Sequence, residues 1–387
     1  MKHEVFWKNP GYKSRPELKE DIDCDYLIIG GGVTGVSLAY FLSHDKSKKI
    51  VLIEKRFIAS GATGKAAGIL TAKGELDLKD LIKNFGKKGA ISYWKGNIES
   101  LDNIEHLIKK EKIECEYESL PTLYCDFNYP SYHNLMEEYK AEKEINDVKI
   151  IEGEELRKEL NTPLFRRALV SPEKAVSVNP LKLTQNLSKV AEKRGVKIFE
   201  NTGLEFIKDN YAFTNYAKIK FKKVIFSNDF GYHDSRIVPI KSTLIVTKVL
   251  SNKQLKETGL IKKKMVWDTK KDYEYFKVTK DNRILIGFGG IRTHKADHRH
   301  DPHFPHLDKL ELFFKKLFPY TNIPIEYVWS GSYGSTNRWM PIVKLEKNKI
   351  VIVATGSQVI SVMMAQHVAK KLSNKKSTLE DYFKNSN

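Results

Sequence analysis

A glycine-rich turn between two short apolar segments restricts the fold of this chain more than any other feature of its sequence. The apolar segment 26–29 runs directly into the turn at residues 30–35, and the helical pattern 36–42 follows. A second apolar segment, 49–53, ends at Glu54. This order of strand, glycine turn, helix, strand and acid is typical of a dinucleotide-binding βαβ unit, so it predicts a Rossmann-like parallel sheet.

Each part of this motif has a physical role in holding a pyrophosphate. Gly30 permits the tight turn, a Cβ at Gly32 would collide with the phosphates, and Gly35 lets the helix pack closely on the strand. The N-terminus of the helix offers N–H groups and the positive end of its dipole. Glu54 is placed to accept hydrogen bonds from ribose hydroxyls. A glycine-rich turn without a ligand remains the alternative interpretation.

Composition excludes several classes of protein. At 387 residues, 41% of them apolar, the chain is long enough for two domains or one large discontinuous domain. No apolar run approaches the roughly 18 residues of a membrane-spanning helix, and residues 1–19 contain no apolar signal-peptide segment. Cys24, Cys115 and Cys125 are odd in number and irregular in spacing, which indicates reduced thiols. We therefore expect a cytoplasmic protein.

The formal net charge of +18 raises the question of nucleic-acid binding. Lysine accounts for 55 of the 66 basic residues, whereas the readout of bases favours the forked guanidinium of arginine. The lysines are also dispersed along the chain, with only short clusters such as 262–264. A lysine-rich solvated surface explains the charge better, so we do not expect nucleic acid as a partner.

Several histidines in a short segment raise the question of a metal site. They share this segment with two prolines and are His294, His298, His300, His303 and His306. Their spacing matches no strong zinc pattern. The sequence therefore predicts a solvated loop here and no metal.

Apolar periodicity predicts most of the remaining elements. Residues 78–112 are predicted to form two helices, 131–144 a charged helix and 307–317 an amphipathic helix. The segment 56–69 is rich in small residues, which suits close approach of the backbone to a flat ligand, although an ordinary loop is the alternative. The segment 354–358 joins an apolar strand to a helix and again presents N–H groups at a helix N-terminus.

Together these segments resemble the D-amino-acid oxidase-like family of FAD-dependent oxidoreductases. The resemblance covers about residues 5–373 in order and is strongest to the branch of glycine oxidase, sarcosine oxidase and gamma-glutamylputrescine oxidase. The stretches that carry it are Phe6-Trp7, Arg15 to Leu18, Ser60 to Gly68, Ser177 to Pro180, Gly195 to Phe199, Asp272 to Phe276, Arg283 to Gly290, Val328 to Gly331 and Ala354 to Gly356.

The resemblance implies an α/β protein with a Rossmann-like FAD-binding domain and a discontinuous substrate domain, an α+β lobe on a mixed or antiparallel β-sheet. The helix-breaking residues Pro10, Gly11 and Pro16 predict that residues 1–21 form an extended N-terminal arm. We expect Phe6 and Trp7 to pack on the body of the protein, with a role in substrate binding as the alternative. The FAD-binding domain would combine residues 22–85, 163–235 and 325–380, and the substrate domain residues 86–162 and 236–324.

The resemblance also implies that FAD binds extended and non-covalently, because the cysteine that links the flavin in sarcosine-type oxidases falls at Gly331. It places the adenosine at Glu54 and at the main chain of Leu204, and the flavin ring beneath the sheet of the substrate domain. The cofactor-binding residues that it implies are Gly30, Gly32, Val33, Thr34, Gly35, Glu54, Lys55, Ser60, Gly61, Ala62, Thr63, Gly64, Ala67, Gly68, Leu204, Gly331, Gly356, Ser357, Gln358 and Val359.

The implied substrate is an amine or amino acid whose C–H delivers hydride to flavin N5, after which water hydrolyses the imine. The lysine that promotes reaction with oxygen in sarcosine-type oxidases falls at Leu285, which leaves the electron acceptor open. A carboxylate-binding lysine falls at Met363, which argues against sarcosine. A tRNA-modifying FAD enzyme, a hydroxy-acid or glycerol-phosphate-type dehydrogenase and a subunit of a hetero-oligomeric dehydrogenase are the alternatives, and the oligomeric state is open.

Contacts with the substrate are predicted from side-chain chemistry. Tyr275 could donate a hydrogen bond above the flavin, and Arg292 or Arg338 could pair with a carboxylate. Core packing and structural ion pairs are the alternatives for these residues. The further candidates to line the substrate cavity are Trp267, Phe288 and Trp339, and Lys65 could lie near the flavin or point to solvent.

Overall fold

The computed structural model describes residues 1–74, 76–127, 129–173, 175–228, 235–270, 273–293 and 304–379. Its helices are α1 Val33–Leu42, α2 Ala62–Lys65, α3 Leu78–Lys110, α4 Tyr129–Lys143, α5 Gly153–Glu159, α6 Pro180–Lys193, α7 Asn252–Thr258, α8 Leu307–Leu317 and α9 Gln358–Leu372. Its strands are β1 Lys2–His3, β2 Ile22–Ile29, β3 Ile50–Ile53, β4 Ile69–Leu70, β5 Glu118–Leu120, β6 Thr122–Asp126, β7 Lys149–Glu152, β8 Arg167–Val170, β9 Ala175–Ser177, β10 Lys197–Phe199, β11 Phe206–Lys208, β12 Tyr211–Phe213, β13 Lys218–Phe226, β14 Ile237–Thr247, β15 Met265–Asp268, β16 Glu274–Val278, β17 Ile284–Phe288, β18 Ile291–Arg292, β19 Ile325–Thr336, β20 Ile342–Leu345 and β21 Lys349–Val353.

Helix boundaries follow local sequence signals. Helix α6 begins where the Asn179 side chain accepts a hydrogen bond from Lys182 N at 3.1 Å. The segment 78–112 forms α3, in which Gly86, at φ 68°, breaks the helical geometry, so the two predicted helical pieces are confirmed. The amphipathic helix predicted at 307–317 is confirmed as α8.

The predicted Rossmann-like unit is the parallel part of an eight-stranded sheet, with strands in the order β10, β3, β2, β13 and β21, and we call it the parallel sheet. Strands β11, β12 and β20 extend it with antiparallel pairing. Strand β2, which precedes the glycine turn, lies in the interior between β3 and β13. Helix α1 packs against α6 and α9 on one face of this sheet. Leu27, Ile28 and Leu52 are fully buried, which explains why these strands are continuously apolar.

The second large sheet is mixed and has ten strands among the described residues, in the order β1-β19-β14-β17-β16-β15-β6-β8-β7 with β18 beside β14. On one face, Phe276 and Phe314 belong to a core that includes α8. On the opposite face, Leu285 and Trp329 pack with Ala67 of the loop that follows β3. This second face therefore lies against the loop that is predicted to contact the flavin.

A sheet with a parallel Rossmann-like part and a second, mixed sheet, both with helices on their faces, confirm the predicted fold class. The sheets cross the predicted domain boundaries in places. Strands β8 and β19 lie in the mixed sheet, although segments 163–235 and 325–380 are predicted for the FAD-binding domain. Helix α3 packs on α9 in the core beside the parallel sheet, although most of it falls in the segment predicted for the substrate domain. The division into domains stays a prediction.

Polar contacts fix the N-terminal arm to the body of the protein. The Arg15 guanidinium lies 2.7 Å from a Glu192 carboxylate oxygen and 3.9 Å from one of Glu200, which is fully buried. Trp7 is 4% exposed and, with Phe6, packs against the mixed sheet. The prediction that this aromatic pair packs on the body is confirmed.

Candidate cofactor-binding site

The glycine turn has the close packing that its sequence predicts. Gly30 has a φ of 113°, which side chains rarely adopt. A Cβ at Gly35 would lie 2.0 Å from the Gly30 carbonyl oxygen, so glycine is required for α1 to approach β2 this closely. A Cβ at Gly32 would lie 3.2 Å from Thr63 Oγ1, and this hydroxyl accepts a hydrogen bond from Val33 N at 3.0 Å. The N-terminus of α1 therefore faces helix α2.

Glu54 lies where β3 ends and faces the glycine turn. Its carboxylate accepts a hydrogen bond from Gly31 N at 2.7 Å, and its carbonyl oxygen accepts one from Thr202 N at 2.9 Å. Leu204 follows two residues later and packs on the face of the parallel sheet. The two residues that the family resemblance assigns to the adenosine therefore lie on neighbouring segments.

Two tryptophans hold the loop that follows Glu54. Trp7 Nε1 donates to the Ala66 carbonyl oxygen at 2.7 Å, and Trp329 Nε1 donates to the Lys65 carbonyl oxygen at 2.8 Å. Both indoles belong to the cluster in which Ala67 packs against the mixed sheet. The arm and the mixed sheet thus fix the backbone of the same loop from two directions.

The end of this loop rests on a buried lysine, Lys277, which the sequence analysis missed. Lys277 Nζ donates to the Gly68 carbonyl oxygen at 2.6 Å and to Ser177 Oγ at 2.9 Å. Burial lowers the pKa of Lys277 to about 7, although Glu118 and Glu116 oppose this effect. A lysine between the apolar residues of strand β16 is the signal that could have revealed it.

Small residues of the C-terminal segment close the site. A Cβ at Gly331 would lie 3.1 Å from the Cβ of Lys65, so β19 approaches the loop closely at this point. Gly356 has a φ of 93°, and a Cβ there would lie 2.5 Å from the Tyr333 ring. The turn before α9 and the strand β19 therefore meet beside the loop, as the family resemblance implies.

Unpaired polar atoms lie at the start of α9. Ser357 caps this helix by accepting a hydrogen bond from Ile360 N at 3.4 Å. Gln358 is 5% exposed, and neither its amide nitrogen nor its amide oxygen has a hydrogen-bond partner among the described residues. Thr355 Oγ1 is buried and lacks a partner in the same part of the chain. Such atoms are costly to bury unless a ligand satisfies them.

These features fit FAD. Glycines leave room for phosphates beside the N-terminus of α1, and the Gln358 amide could exchange hydrogen bonds with a polar heterocycle. Val359 fits less well, because it is 1% exposed and packs in the core. Contacts of individual residues with FAD stay predictions, and they concern Gly30, Gly32, Val33, Thr34, Gly35, Glu54, Lys55, Ser60, Gly61, Ala62, Thr63, Gly64, Ala67, Gly68, Leu204, Gly331, Gly356, Ser357, Gln358 and Val359.

Tyr275 and Trp267 lie on the face of the mixed sheet that covers the loop. Tyr275 is paired with Trp267 on one side and with Gly287 on the other, so the three positions share a face. A Cβ at Gly287 would lie 2.2 Å from Tyr275 Cζ, so the tyrosine ring extends over this glycine. Phe288 belongs instead to the core on the opposite face, so it packs with α8 rather than lining the site.

The two arginines that are predicted to bind the substrate are both exposed. Arg292 is exposed on the short strand β18, and Arg338 is exposed between β19 and β20. Trp339 is half-buried beside Arg338 with a φ of 58°. The roles of the two arginines stay predictions.

The described part of the chain contains no cluster of side chains that could form a metal site. Across the described ranges, no group of three or more His, Cys, Asp or Glu side chains could hold a metal ion. His306 lies within these ranges, and its ring is 4.8 Å from that of Phe288. The other histidines considered in the sequence lie outside the described residues, namely His294, His298, His300 and His303.

Comparison with known proteins identifies the class to which this fold and site belong. Residues 25–374 match the DAO family model, described as FAD dependent oxidoreductase. The chain therefore belongs to the DAO family of FAD-dependent oxidoreductases, which confirms the family resemblance and the cofactor.

Similar proteins agree with this family. Gamma-glutamylputrescine oxidoreductase of Escherichia coli is 25% identical over 84% of this chain and 77% of its own length. YhfW of Bacillus subtilis, described as a Rieske 2Fe-2S iron-sulfur protein, is 28% identical over 51% of this chain, but the match spans only 38% of its length. Glycine oxidase of Geobacillus kaustophilus has the same fold, with a TM-score of 0.76 and 18% identity over 93% of this chain and 98% of its own.

None of the helices in the described ranges has the length and apolar character to cross a membrane.

Proposed function

We propose that this protein oxidises an amine or amino acid to an imine, which water then hydrolyses. The observation that carries the proposal is the position of Tyr275 on the face of the mixed sheet that packs against the loop ending at Gly68. The relatives named above as oxidising glycine or gamma-glutamylputrescine support this class of substrate.

When bound, FAD supplies the hydride acceptor. The residues of this chain bind the cofactor, orient the substrate and shield the reacting atoms from water. The turn at Gly30 and the N-terminus of α1 would hold the pyrophosphate. The loop fixed by Trp7 and Trp329 would set the position of the flavin. Tyr275 would orient the substrate with its phenolic hydroxyl, and the mixed sheet would exclude water from the reacting carbon.

Three further features belong to the proposal. By the family resemblance, Leu285 falls at the position of the lysine that promotes oxygen reduction in sarcosine-type oxidases, so we propose an electron acceptor other than oxygen. Cys24, Cys115 and Cys125 are all buried and free, which supports a cytoplasmic location. Association into oligomers is also part of the proposal, and we assign no interface to it.

Anaerobic reduction of the flavin tests this proposal. Amines, amino acids, hydroxy acids and glycerol phosphate are added separately to the FAD-loaded protein, and the loss of flavin absorbance is followed before air is admitted. We expect an amine or amino acid to bleach the flavin and air to restore it slowly. Bleaching only by hydroxy acids or glycerol phosphate would contradict the proposal, and fast recovery in air would contradict the proposed acceptor.

A further inference from the structure

A small cavity lies on the same face of the mixed sheet as Tyr275. Its volume is about 20 Å³, and we call it the Glu142 cavity after the most informative of its lining residues, which include Thr71, Lys73, Tyr124, Glu142, Glu173 and Trp267. Trp267 is paired with Tyr275 on one side and with Tyr124 on the other, so one row of aromatic residues connects the two places. Strand β4 joins Gly68 to Thr71, so the cavity also begins one short strand beyond the predicted flavin loop.

Among the described residues that line the cavity, Lys73 is the only basic one, and its ammonium group is already ion-paired. Its Nζ lies 3.2 Å from a carboxylate oxygen of Glu138, 3.3 Å from one of Glu142 and 3.5 Å from one of Asp77. It also lies 3.7 Å from the centre of the Tyr124 ring. Three acidic side chains already surround this ammonium group, so Lys73 is poorly placed to pair with a carboxylate of the substrate.

Glu142 provides an acceptor that nothing in the described chain uses. It is 2% exposed, and one of its carboxylate oxygens accepts a hydrogen bond from Lys73. The other oxygen, Oε2, has no hydrogen-bond partner among the described residues. A buried carboxylate oxygen without a donor is costly, and the cavity beside it is large enough for one water molecule or one ammonium group.

The charges around the cavity also favour a cation. Asp77, Glu138 and Glu142 surround one ammonium group, that of Lys73. Burial raises the pKa of Glu138, although both of its carboxyl oxygens accept hydrogen bonds from the backbone N–H groups of Leu78 and Lys79. Three acidic side chains therefore share the single ammonium group of Lys73. A second ammonium group would improve this charge balance, whereas a water molecule would not.

We propose that the substrate is a diamine, or an amine with a second ammonium group remote from the oxidised carbon, and that this distal ammonium donates to Glu142 Oε2 in the cavity. The inference rests on the proposed function and names the class of substrate within it. The reacting amine lies at Tyr275, and the alkyl chain between the two nitrogens runs along Trp267. A substrate with only one amine leaves the Glu142 cavity to water.

Matched substrates test the inference in the unaltered protein. The dissociation constant is measured from the saturation of anaerobic flavin reduction for a series of linear diamines, for monoamines of equal length and for the corresponding amino alcohols. A charged hydrogen bond to a buried carboxylate predicts that the best diamine binds at least about tenfold more tightly than its monoamine or amino alcohol. This comparison needs no variant, so a folding defect cannot obscure it.

A matched pair of variants locates the effect. Glu142→Gln removes the charge with little change of shape, and Glu137→Gln removes an exposed carboxylate from the same helix, α4. We expect Glu142→Gln to reduce the ratio of monoamine to diamine dissociation constants from about tenfold to about one, and Glu137→Gln to leave this ratio at its original value.

The outcomes separate the two proposals. Equal binding of diamines and monoamines to the unaltered protein would overturn the inference, with water alone in the cavity, and would leave the proposed function intact. If Glu142→Gln lost affinity for the diamine and for the monoamine equally, Glu142 would have a structural role. This outcome would also overturn the inference. If no amine reduces the flavin, the proposed function fails, and the inference fails with it.

Discussion

Single residues show most clearly which features a sequence reveals. Gly30 and Gly35 could be predicted because a backbone that must turn sharply or pack closely tolerates no other residue type. Lys277 and Lys73 could not, because their burial depends on strands and helices that are distant in the sequence. The roles of Arg292 and Arg338 stay predictions from charge alone, and charge does not determine where a side chain lies in the fold.

Gln358 should affect stability in opposite directions with and without FAD. In Gln358→Leu, two unpaired buried polar atoms are replaced by apolar ones, so we expect the FAD-free protein to gain about 1–3 kcal/mol of unfolding free energy. The same change should weaken FAD binding about tenfold, because a donor and an acceptor are lost. Denaturant unfolding and FAD titration measure the two effects. If Gln358→Leu changed the unfolding free energy equally in the FAD-free and the FAD-bound protein, Gln358 would not contact the cofactor.

The loop between β3 and β4 is the element on which the candidate site depends most. Its small residues and its place after Glu54 could be read from the sequence, because glycine and alanine suit close approach to a ligand. The side chains that hold it could not, because Trp7 and Trp329 come from opposite ends of the chain. Apolar periodicity likewise located most helices and strands, but it does not specify which strands pair across the mixed sheet.

Trp7→Phe should loosen this loop without disrupting the fold. The change removes the indole N–H that donates to the Ala66 carbonyl oxygen but keeps an aromatic ring, so we expect a loss of about 1 kcal/mol of stability. FAD should dissociate several-fold faster, which the return of flavin fluorescence after dilution would report. Trp339→Phe is the control, because this half-buried residue lies in the turn between β19 and β20. Equal dissociation rates in the two variants would contradict the role of the indole.

At the scale of the whole molecule, Lys277 connects the mixed sheet to the loop that is predicted to contact the flavin. Strand β16 belongs to the mixed sheet, whereas the acceptors of Lys277 belong to the loop end at Gly68 and to strand β9. The stability of this junction depends on pH, because burial lowers the pKa of Lys277 from its ordinary value of 10.5 to about 7. Between these two values the unfolded chain binds a proton that the folded protein does not, so the unfolding free energy rises with pH.

Lys277→Met should remove this rise. Between pH 7 and 9 the contribution of Lys277 amounts to about 2 kcal/mol, so we expect the unaltered protein to gain that much relative to the variant. Denaturant midpoints at the two pH values measure the difference, which cancels the titration of groups that both proteins share. Lys280→Met, at an exposed site on the same hairpin, should behave like the unaltered protein. If the unfolding free energies of Lys277→Met and of the unaltered protein changed equally between pH 7 and 9, Lys277 would be charged in the folded state.

The order of the strands has a consequence for synthesis on the ribosome. Strand β2 emerges early, yet its neighbour β13 begins almost 200 residues later, and β21, which flanks β13, comes later still. Strand β1 pairs with β19, which is also translated late. Such distant pairings slow folding, because long loops must close before the contacts form. We therefore expect the nascent chain to expose apolar strands for most of translation, which favours aggregation until its last strands leave the exit tunnel.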